Sequence, residues 1–380
     1  MKVRPMATKL ITTRKERGET IAKLPDHIQR FDNNHYVVRS QSKIIDSRYN
    51  VNRDMGEWTC TCPDHFYRKV KCKHIYAVEF SRVLRQQVAT KRILPIDNLS
   101  TCLYCGSKNI IKKGIRKNKC GNIQKFYCQD CNKFFTFNIG FERMKHNPQA
   151  ITSAMQLYFS GESLRNTSRS LRLLGVEVSY RTILNWIQKY VKLMKDYTES
   201  ITPNVSDTWR ADEIWIKVKG NMKYLFSMMD DETRFWIAQE VAESKDRHDA
   251  RKLLQMSKRI AGKRPTAFIT DGLPTYHLAY KNEFYSVKNP RSQHIRHITL
   301  QGDHNNNKME RLNGEIRDRE KTMRGLKTTE TSILKGYQIF HNYIRPHEGL
   351  ERKTPSEACG IKVEGKNKWI TLIQNASKRN

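Results

Sequence analysis

The stretch Thr208-Trp-Arg-Ala-Asp-Glu-Ile-Trp-Ile-Lys-Val218 places Ile214, Ile216 and Val218 on one face of an extended chain. Asp212 falls on that same face, nearer the N-terminal end. Alternation of this kind predicts a β-strand. The strand is the reference from which the neighbouring segments are interpreted.

The segments after this strand predict a mixed sheet with helices. Residues 224–229 and 233–241 are strand-like and are joined by the turn at 230–232, so a three-stranded meander is expected. Residues 246–260 predict a helix, and 266–270 predict a short strand that ends at Asp271, with a glycine turn beyond it. Residues 306–323 predict a polar helix that carries Glu310, with a basic face suited to a DNA backbone formed by Arg311, Arg317, Arg319, Lys321 and Arg324. This order of strands and helices is that of an RNase H-like fold.

Three carboxylates stand out in this pattern: Asp212, Asp271 and Glu310. The chain has 380 residues and 70 Lys and Arg against 38 Asp and Glu, a formal net charge of +32, which favours polyanionic partners. Cleavage or transesterification of a DNA phosphodiester uses two metal ions roughly 4 Å apart, and magnesium prefers carboxylate oxygens. We therefore expect the three acids to hold two Mg²⁺ or Mn²⁺ ions against phosphate.

The ordered acids and their surroundings resemble the DDE transposases of bacterial and archaeal insertion sequences and, more distantly, retroviral integrases. The resemblance covers about residues 150–360. Its sharpest motifs are Asp212-Glu-Ile-Trp-Ile-Lys-Val, Thr270-Asp-Gly with Tyr276 following, the run from Asn306 through Glu310 to Arg319, Met323-Arg-Gly-Leu-Lys, and Asn342-Tyr-Ile-Arg-Pro-His-Glu-Gly-Leu with Thr354-Pro. It implies that Asp212, Asp271 and Glu310 are catalytic metal ligands. It also implies a homo-oligomer on double-stranded DNA, since two transposon ends must meet and join a target.

Other acids compete for these roles. Asp230 and Asp231 fall in a turn, where aspartate is common for local hydrogen bonding. Glu213 is expected on the opposite strand face from Asp212, and Glu315 is expected to face away from Glu310 on the helix. The nearest rival is Asp303, in a loop. Two histidines, His304 and His347, could assist proton transfer, although lone histidines are more often structural.

A first cysteine cluster is formed by Cys60-Thr-Cys62 and Cys72-Lys-His74. Three thiolates and one imidazole can complete a tetrahedral zinc site. Two short strands are expected before the cluster, at 35–40 and 44–51, and a helix after it, at 75–84. The segment resembles a SWIM-type zinc finger, in which these four residues match the ligand positions.

A second cluster pairs Cys102-Leu-Tyr-Cys105 with Cys128-Gln-Asp-Cys131 and resembles a zinc ribbon. The residues between the pairs predict a hairpin with a basic face that contacts phosphate. Cys120 lies inside this hairpin and could replace one ligand, although we expect it, like Cys359, to be a small buried residue. Zinc would stabilise both modules.

Residues 148–197 predict three amphipathic helices, with apolar residues at intervals of three and four. Ser179 is a candidate N-cap of the last helix, whose first turn carries Arg181. In a basic chain this pattern favours a helix-turn-helix that meets base edges. A plain helical linker is the alternative, because such geometry cannot be read from periodicity alone.

The charge and hydropathy of the chain indicate where in the cell it is expected to act. Residues 1–150 carry 30 basic and 12 acidic residues, a net charge of +18. No run of about 18 apolar residues and no secretory signal is visible, so we expect a cytoplasmic, nucleoid-associated protein with reduced cysteines. The basic residues expected to contact DNA are Lys112, Lys113, Arg116, Lys117, Arg181, Arg311, Arg317 and Arg324.

These observations predict a multidomain α/β chain, in which zinc-binding modules and a helix-turn-helix precede an RNase H-like mixed-sheet catalytic core. The expected organisation is an N-terminal extension at 1–30, a SWIM-type finger at 31–90, a zinc ribbon at 98–140, a helix-turn-helix region at 148–197, a DDE catalytic domain at 205–360 and a basic tail at 361–380.

Two functions fit this organisation. One is an active transposase that binds the ends of an insertion sequence and catalyses metal-dependent strand cleavage and strand transfer. The other is a catalytically silent, transposase-derived DNA-binding regulator, although retention of all three acids argues against it. A structure-selective RNase H-like nuclease is a third possibility, but it offers no reason for two zinc modules and a helix-turn-helix.

Overall fold

The computed structural model describes residues 13–24, 27–31, 34–39, 41, 47–54, 57–86, 91–96, 101–118, 121–287, 292–296, 307–323, 326 and 331–378. The chain forms two compact units: Met1–Ala89 with Ser286–Ser292, and Thr90–Tyr285 with Gln293–Asn380. Within the described residues, no helix combines the length and the apolar character needed to span a bilayer.

The first unit is a four-stranded antiparallel sheet with three helices. Its elements in chain order are α1 (Arg14–Lys23), β1 (Ile28–Arg30), β2 (His35–Arg39), β3 (Arg48–Asp54), β4 (Glu57–Cys60), α2 (Pro63–Arg68) and α3 (Lys73–Gln86), and the sheet order is β1-β2-β3-β4. Alternate residues of β2, Tyr36 and Val38, are buried with Val51 and Ile75. Helix α1 lies close to α3 because Gly18 has no side chain: a Cβ there would lie 2.5 Å from the Cβ of Tyr76.

The second unit begins with a short strand and a small sheet. Strand β5 (Lys91–Ile93) is followed by β6 (Ile110–Asn118), β7 (Gly121–Cys128) and β8 (Phe134–Phe135), of which the last three form an antiparallel sheet in the order β6-β7-β8. The apolar centre of this sheet is small. It consists of Cys102, Cys128 and Phe135, with Phe126 stacked on Phe135 at a ring distance of 5.7 Å.

Three helices follow, as the sequence predicted: α4 (Pro148–Ser160), α5 (Leu164–Leu173) and α6 (Tyr180–Glu199). Ser179 caps α6, where its hydroxyl accepts a hydrogen bond from the backbone N–H of Thr182. The helices are not an isolated bundle, because α6 packs against the C-terminal helices α10 (Ser332–Ile339) and α12 (Lys368–Ser377). Gly336 permits this approach, since a Cβ there would lie 2.7 Å from Cγ2 of Val191.

A five-stranded mixed sheet positions the acids. Its strands are β9 (Thr208–Val218), β10 (Asn221–Asp230), β11 (Trp236–Ala242), β12 (Ala267–Thr270) and β13 (Gln293–Arg296), in the order β11-β10-β9-β12-β13. Strand β10 is antiparallel to both neighbours, and β12 is parallel to β9 and β13. In chain order, α7 (Arg247–Ala261) lies between β11 and β12, α8 (Pro274–Glu283) lies between β12 and β13, and α9 (Asn307–Met323) follows β13. The predicted meander is confirmed by β9, β10 and β11, and the predicted helix and strand that follow it are α7 and β12. Strand β13 and helix α8 had no sequence prediction.

The last residues correct one expectation. Residues 361–380, expected to be a basic tail, contain β14 (Ile361–Val363) and α12, which follow the short helix α11 (Pro355–Ala358). Trp369, Leu372 and Ile373 of α12 are buried, and burial of each such side chain contributes about 1.5–3 kcal/mol. Their three- and four-residue spacing is a helical signal that the basic charge of the segment obscured. Strand β14 pairs in parallel with β5.

Candidate active site and metal centres

Strand register brings Asp212 and Asp271 together. Ala267 of β12 lies opposite Thr208 of β9, and Ile269 lies opposite Arg210, so the same register places Asp271 beside Asp212. Asp212 is partly buried in the central strand, whereas Asp271 is exposed just beyond the end of β12. Two strands far apart in sequence therefore present their carboxylates at one edge of the sheet.

The third acid that meets them is Glu213, which corrects the expectation that it points away. One carboxylate oxygen from each of Asp212, Glu213 and Asp271 lies within 4.8 Å of the others. The backbone N–H of Glu213 donates to Oδ1 of Asp212 at 2.9 Å, so the Asp212 side chain bends along the strand toward its neighbour. Alternation fixes where each Cβ points, but not where a flexible carboxylate ends.

Mutual repulsion and burial define the electrostatics of these acids. Burial, followed by the negative charges of Glu213 and Asp271, raises the pKa of Asp212 to about 7. Burial also raises the pKa of Glu213, against the opposing effect of Lys245, whose Nζ donates to Oε1 of Glu213 at 2.7 Å. The three acids, which we call the acidic cluster, thus hold more negative charge than the protein neutralises.

Glu310 lies near the acidic cluster without joining it. It is exposed in the first turn of α9, and its charge contributes a small part of the raised pKa of Asp212. Three residues further along the helix, Nδ2 of Asn313 donates to Oδ2 of Asp212 at 2.7 Å. Asn313 had no sequence prediction, although its i+3 spacing from Glu310 places both on one helix face.

The remaining rival acids have structural partners. Asp230 accepts hydrogen bonds from the backbone N–H groups of Ser206 and Thr233, at 2.9 Å each. Asp231 is paired with Arg210 and Lys308. These contacts agree with local, structural roles for both turn acids.

Glu315 and His347 lie apart from the acidic cluster. Glu315 accepts from Nη1 of Arg345 at 2.6 Å, as expected for a residue facing away from Glu310. His347 is nearly buried, and burial lowers its pKa to about 3, so the ring is neutral near pH 7 and is not poised to transfer protons. Asp303 and His304 lie outside the described residues.

The first cysteine cluster has the spacing of a tetrahedral site. Ligand atoms of Cys60, Cys62, Cys72 and His74 all lie within 4.8 Å of one another, and Nδ1 of His74 is 3.9 Å from Sγ of Cys60. A hydrogen bond from Cys60, more than the opposing effect of burial, lowers the pKa of Cys72 to about 3. The thiolate, which is the metal-binding form, is therefore favoured there.

The second cysteine cluster is closed in the same way. Sγ of Cys102 lies 3.6 Å from Sγ of Cys131, and Sγ of Cys105 lies 3.6 Å from Sγ of Cys128. Zinc–sulfur bonds of about 2.3 Å in a tetrahedron put the sulfurs about 3.8 Å apart. Both clusters therefore fit a zinc ion. Cys120 lies outside the described residues, and Cys359 is buried with its thiol donating to Thr233.

Comparison with known proteins agrees with this geometry. Residues 206–347 match the family model described as a DDE domain, and residues 49–82 match that of the SWIM zinc finger. Residues 206–347 are therefore similar to the DDE domains of transposases. The transposase for insertion sequence-like element IS431mec of Staphylococcus aureus strain Mu50 is 26% identical over 216 residues, which cover 56% of this chain and 92% of that protein.

A second relative and one solved structure were also found to be similar to parts of this chain. The insertion element ISM1 uncharacterized 48.3 kDa protein of Methanobrevibacter smithii is 30% identical over 148 residues, 34% of this chain and 35% of that protein. The HTLV-2 integrase catalytic core domain in complex with magnesium is 16% identical, with a TM-score of 0.31, and the match covers 42% of this chain and 98% of that one.

The basic residues predicted to contact DNA are largely on the surface of the protein. Lys112, Lys113, Arg116 and Lys117 are exposed on β6; Arg181 is exposed in the first turn of α6; and Arg311 and Arg317 are exposed on α9. Arg324 lies outside the described residues. Arg319, which the sequence grouped with the basic face of α9, is instead buried, with its guanidinium 5.1 Å from the ring centre of Tyr158.

Proposed function

We propose that this protein is a DDE transposase that binds the ends of an insertion sequence and catalyses metal-dependent strand cleavage and strand transfer. The observation that carries the proposal is the convergence of Asp212 and Asp271, from two adjacent strands, beside the helix that carries Glu310. Such an arrangement of carboxylates beside exposed arginines suits a polyanionic substrate held with cations.

The acidic cluster fits divalent cations by its chemistry. Its donors are carboxylate oxygens within 4.8 Å of one another, and burial, followed by the charges of Glu213 and Asp271, raises the pKa of Asp212. A bound cation would offset both effects. We propose Asp212, Asp271 and Glu310 as the ligands of two Mg²⁺ or Mn²⁺ ions. When bound, such ions activate the attacking oxygen and stabilise the leaving oxygen.

The other residues of the site orient these acids. Asn313 fixes one oxygen of Asp212, leaving the carboxylate in a defined position relative to α9. Lys245 balances Glu213 and so limits the negative charge that the phosphodiester must approach. We infer that Arg311 and Arg317, exposed on the helix of Glu310, attract the DNA backbone.

The N-terminal modules are proposed to recognise DNA. Two structural Zn²⁺ ions would be held by Cys60, Cys62, Cys72 and His74, and by Cys102, Cys105, Cys128 and Cys131. The hairpin β6–β7 presents its lysines and arginines on exposed positions, and α6 presents Arg181 at its start. We propose that these elements contact transposon ends, that the protein acts as a homo-oligomer on double-stranded DNA, and that it works at the nucleoid.

A strand-transfer assay tests the proposal. Purified full-length protein, duplexes that carry the element's ends and a supercoiled target are incubated with Mg²⁺ or Mn²⁺. We expect joined products with the native protein and none with Glu310→Gln. Asp318→Asn is the matched control, because it removes one negative charge from an exposed position of the same helix. Full activity of Glu310→Gln would exclude the proposed ligand set.

The silent regulator predicts a different result in that assay. It would bind the ends specifically and give no cleavage with either metal. The acidic cluster speaks against this function, since holding repelling carboxylates together costs stability that DNA binding alone does not require.

A further inference from the structure

A second polar site lies on another face of α9. A cavity of about 200 Å³ is lined by the end of β10, by α9 and by the segment that follows α10. Asn307 and Arg311 at its edge are exposed. The lining residues are Met229, Arg234, Asn307, Lys308, Arg311, Leu312, Glu315, His341 and His347. Apart from Arg311, which we infer to attract the DNA backbone, none of these residues has a role in the steps proposed for the acidic cluster.

The cavity has an excess of positive charge. Lys308 is bound to Asp231, and Glu315 is bound to Arg345, so these groups are neutralised. Arg234 and Arg311 remain, and within the described part of the chain neither guanidinium has a carboxylate at ion-pair distance. Burial, and then the charge of Arg311, lowers the pKa of Arg234. The carboxylates of Asp231 and Glu315 oppose this shift, but the residues around the cavity carry more positive than negative charge.

The backbone holds Arg234 in place. Its φ of 56° is in the left-handed region, which non-glycine residues rarely occupy without support. The ring Nε2 of His341 lies 3.0 Å from the carbonyl oxygen of Arg234 and donates to it. Gly349 leaves room for the guanidinium, since a Cβ there would lie 2.3 Å from Nη2 and 2.7 Å from Cζ of Arg234. The charged group is thus pre-positioned.

His341 supplies an independent sign of a ligand. Its side chain is 3% exposed, and Nδ1 has no hydrogen-bond partner among the described residues. Because Nε2 carries the proton, Nδ1 is an acceptor, and burial lowers the pKa of the ring to about 4, so it stays neutral. A buried acceptor beside two guanidiniums is satisfied by a water that also donates to an anion.

We propose that this cavity binds one phosphodiester group of the DNA substrate, with Arg234 and Arg311 on its oxygens and a water bridging it to His341. Arginine forks match the oxygens of phosphate, and the cavity has space for the group and its waters. Arg311 directly follows Glu310, so a strand that reaches the acids passes the rim of the cavity. The inference rests on the proposed function, since it takes DNA as the substrate.

A binding experiment with modified DNA tests the cavity. The full chain is titrated with end-bearing duplexes in which one phosphate at a time is replaced by a neutral methylphosphonate. One position is expected to cost the native protein about tenfold in affinity, the value of a charge-assisted hydrogen bond, and to cost Arg234→Gln and Arg311→Gln clearly less. The double variant should lose the dependence on that phosphate, and its salt dependence of binding should fall by about 0.9 ion.

Two further variants separate position from charge. Gly349→Ala keeps every charge but pushes the Arg234 guanidinium aside. The affinity cost of the methylphosphonate at that one position, which we call the coupling, should therefore be reduced in this variant too. Lys252→Gln, on an exposed position of α7, is the control and should keep the coupling. The substitutions Arg311→Gln and Gly349→Ala do not change the residue in the turn at Arg234. They therefore test the site even where Arg234→Gln does not fold.

The outcomes distinguish the two proposals. The cavity proposal is overturned when every methylphosphonate lowers the DNA affinity of the arginine variants as much as it lowers that of the native protein. It is also overturned when both variants bind DNA like the native protein. Normal strand transfer without coupling refutes the cavity proposal alone. Coupling in a native protein that never cleaves DNA refutes the proposed catalytic function and leaves the phosphate site standing.

Discussion

The cysteine clusters and the acidic cluster differ in how completely their proposed ligands meet. In both cysteine clusters all four ligand atoms lie together, whereas Glu310 stays outside the group formed by Asp212, Glu213 and Asp271. A single thiolate among neutral thiols meets little repulsion, whereas several ionised carboxylates brought together repel one another. The fold alone brings the cysteine-cluster ligands together, whereas we expect bound cations to complete the proposed set of Asp212, Asp271 and Glu310.

Loss of zinc should have the largest effect and should leave the acidic cluster unaffected. Cys72→Ser removes one ligand of a small unit whose apolar core includes the ligand cysteines, and metal-linked folding is worth on the order of 10 kcal/mol. We expect the first unit to unfold, measured as lost amide exchange protection and one zinc fewer per chain by metal analysis. Asp212→Asn is the control. Retention of protection in Cys72→Ser would mean that packing alone holds this unit.

A smaller effect should follow from pH at the acidic cluster. The folded pKa of Asp212 is about 7, above the unfolded value near 4. Protonated Asp212 therefore contributes its full stability below about pH 4, and this contribution is lost as the pH rises through about 7. In a chelator selective for Mg²⁺ and Mn²⁺, the free energy of unfolding of native protein should fall by a few kcal/mol over this range. Asp212→Asn should show a flatter dependence; identical curves would contradict the repulsion.

The smallest effect is expected from the residue that orients Asp212. Asn313→Ala removes the 2.7 Å hydrogen bond but no ligand, and loss of such outer partners costs about 10- to 100-fold in metal affinity or activity. Strand transfer measured against Mg²⁺ concentration should shift to higher metal, with zinc content unchanged. Asn313→Asp, which adds a charge, is a useful comparison. An unchanged metal dependence in Asn313→Ala would show that the helix alone positions Asp212.

The sequence predicted the parts of this fold that depend on local pattern. Alternation in β9 and the strand end at Asp271 placed two acids correctly beside each other, and Ser179 marked the start of α6. Glu213 was misjudged, because alternation sets the direction of Cβ while two further bonds bring its carboxylate back to Asp212. Arg319 was misjudged because a charged residue on a polar helix gives no sign of the aromatic ring over it.

Other features depend on partners far away in sequence. Nothing local identifies Lys91–Ile93 as a strand that pairs with Ile361–Val363. The same holds for the cavity around Arg234, since Gly349 and His341 matter only when the chain has brought them to that turn. Local periodicity carries no information about such encounters.

The pairing of β5 with β14 also has a consequence during protein synthesis. About 270 residues separate the two strands, and translation at about 5–20 residues per second leaves β5 without its partner for roughly 15–55 seconds. A nascent or prematurely terminated chain therefore presents an unpaired strand edge that chaperones and proteases can recognise. Only a ribosome that has passed residue 363 can release a polypeptide able to close this unit.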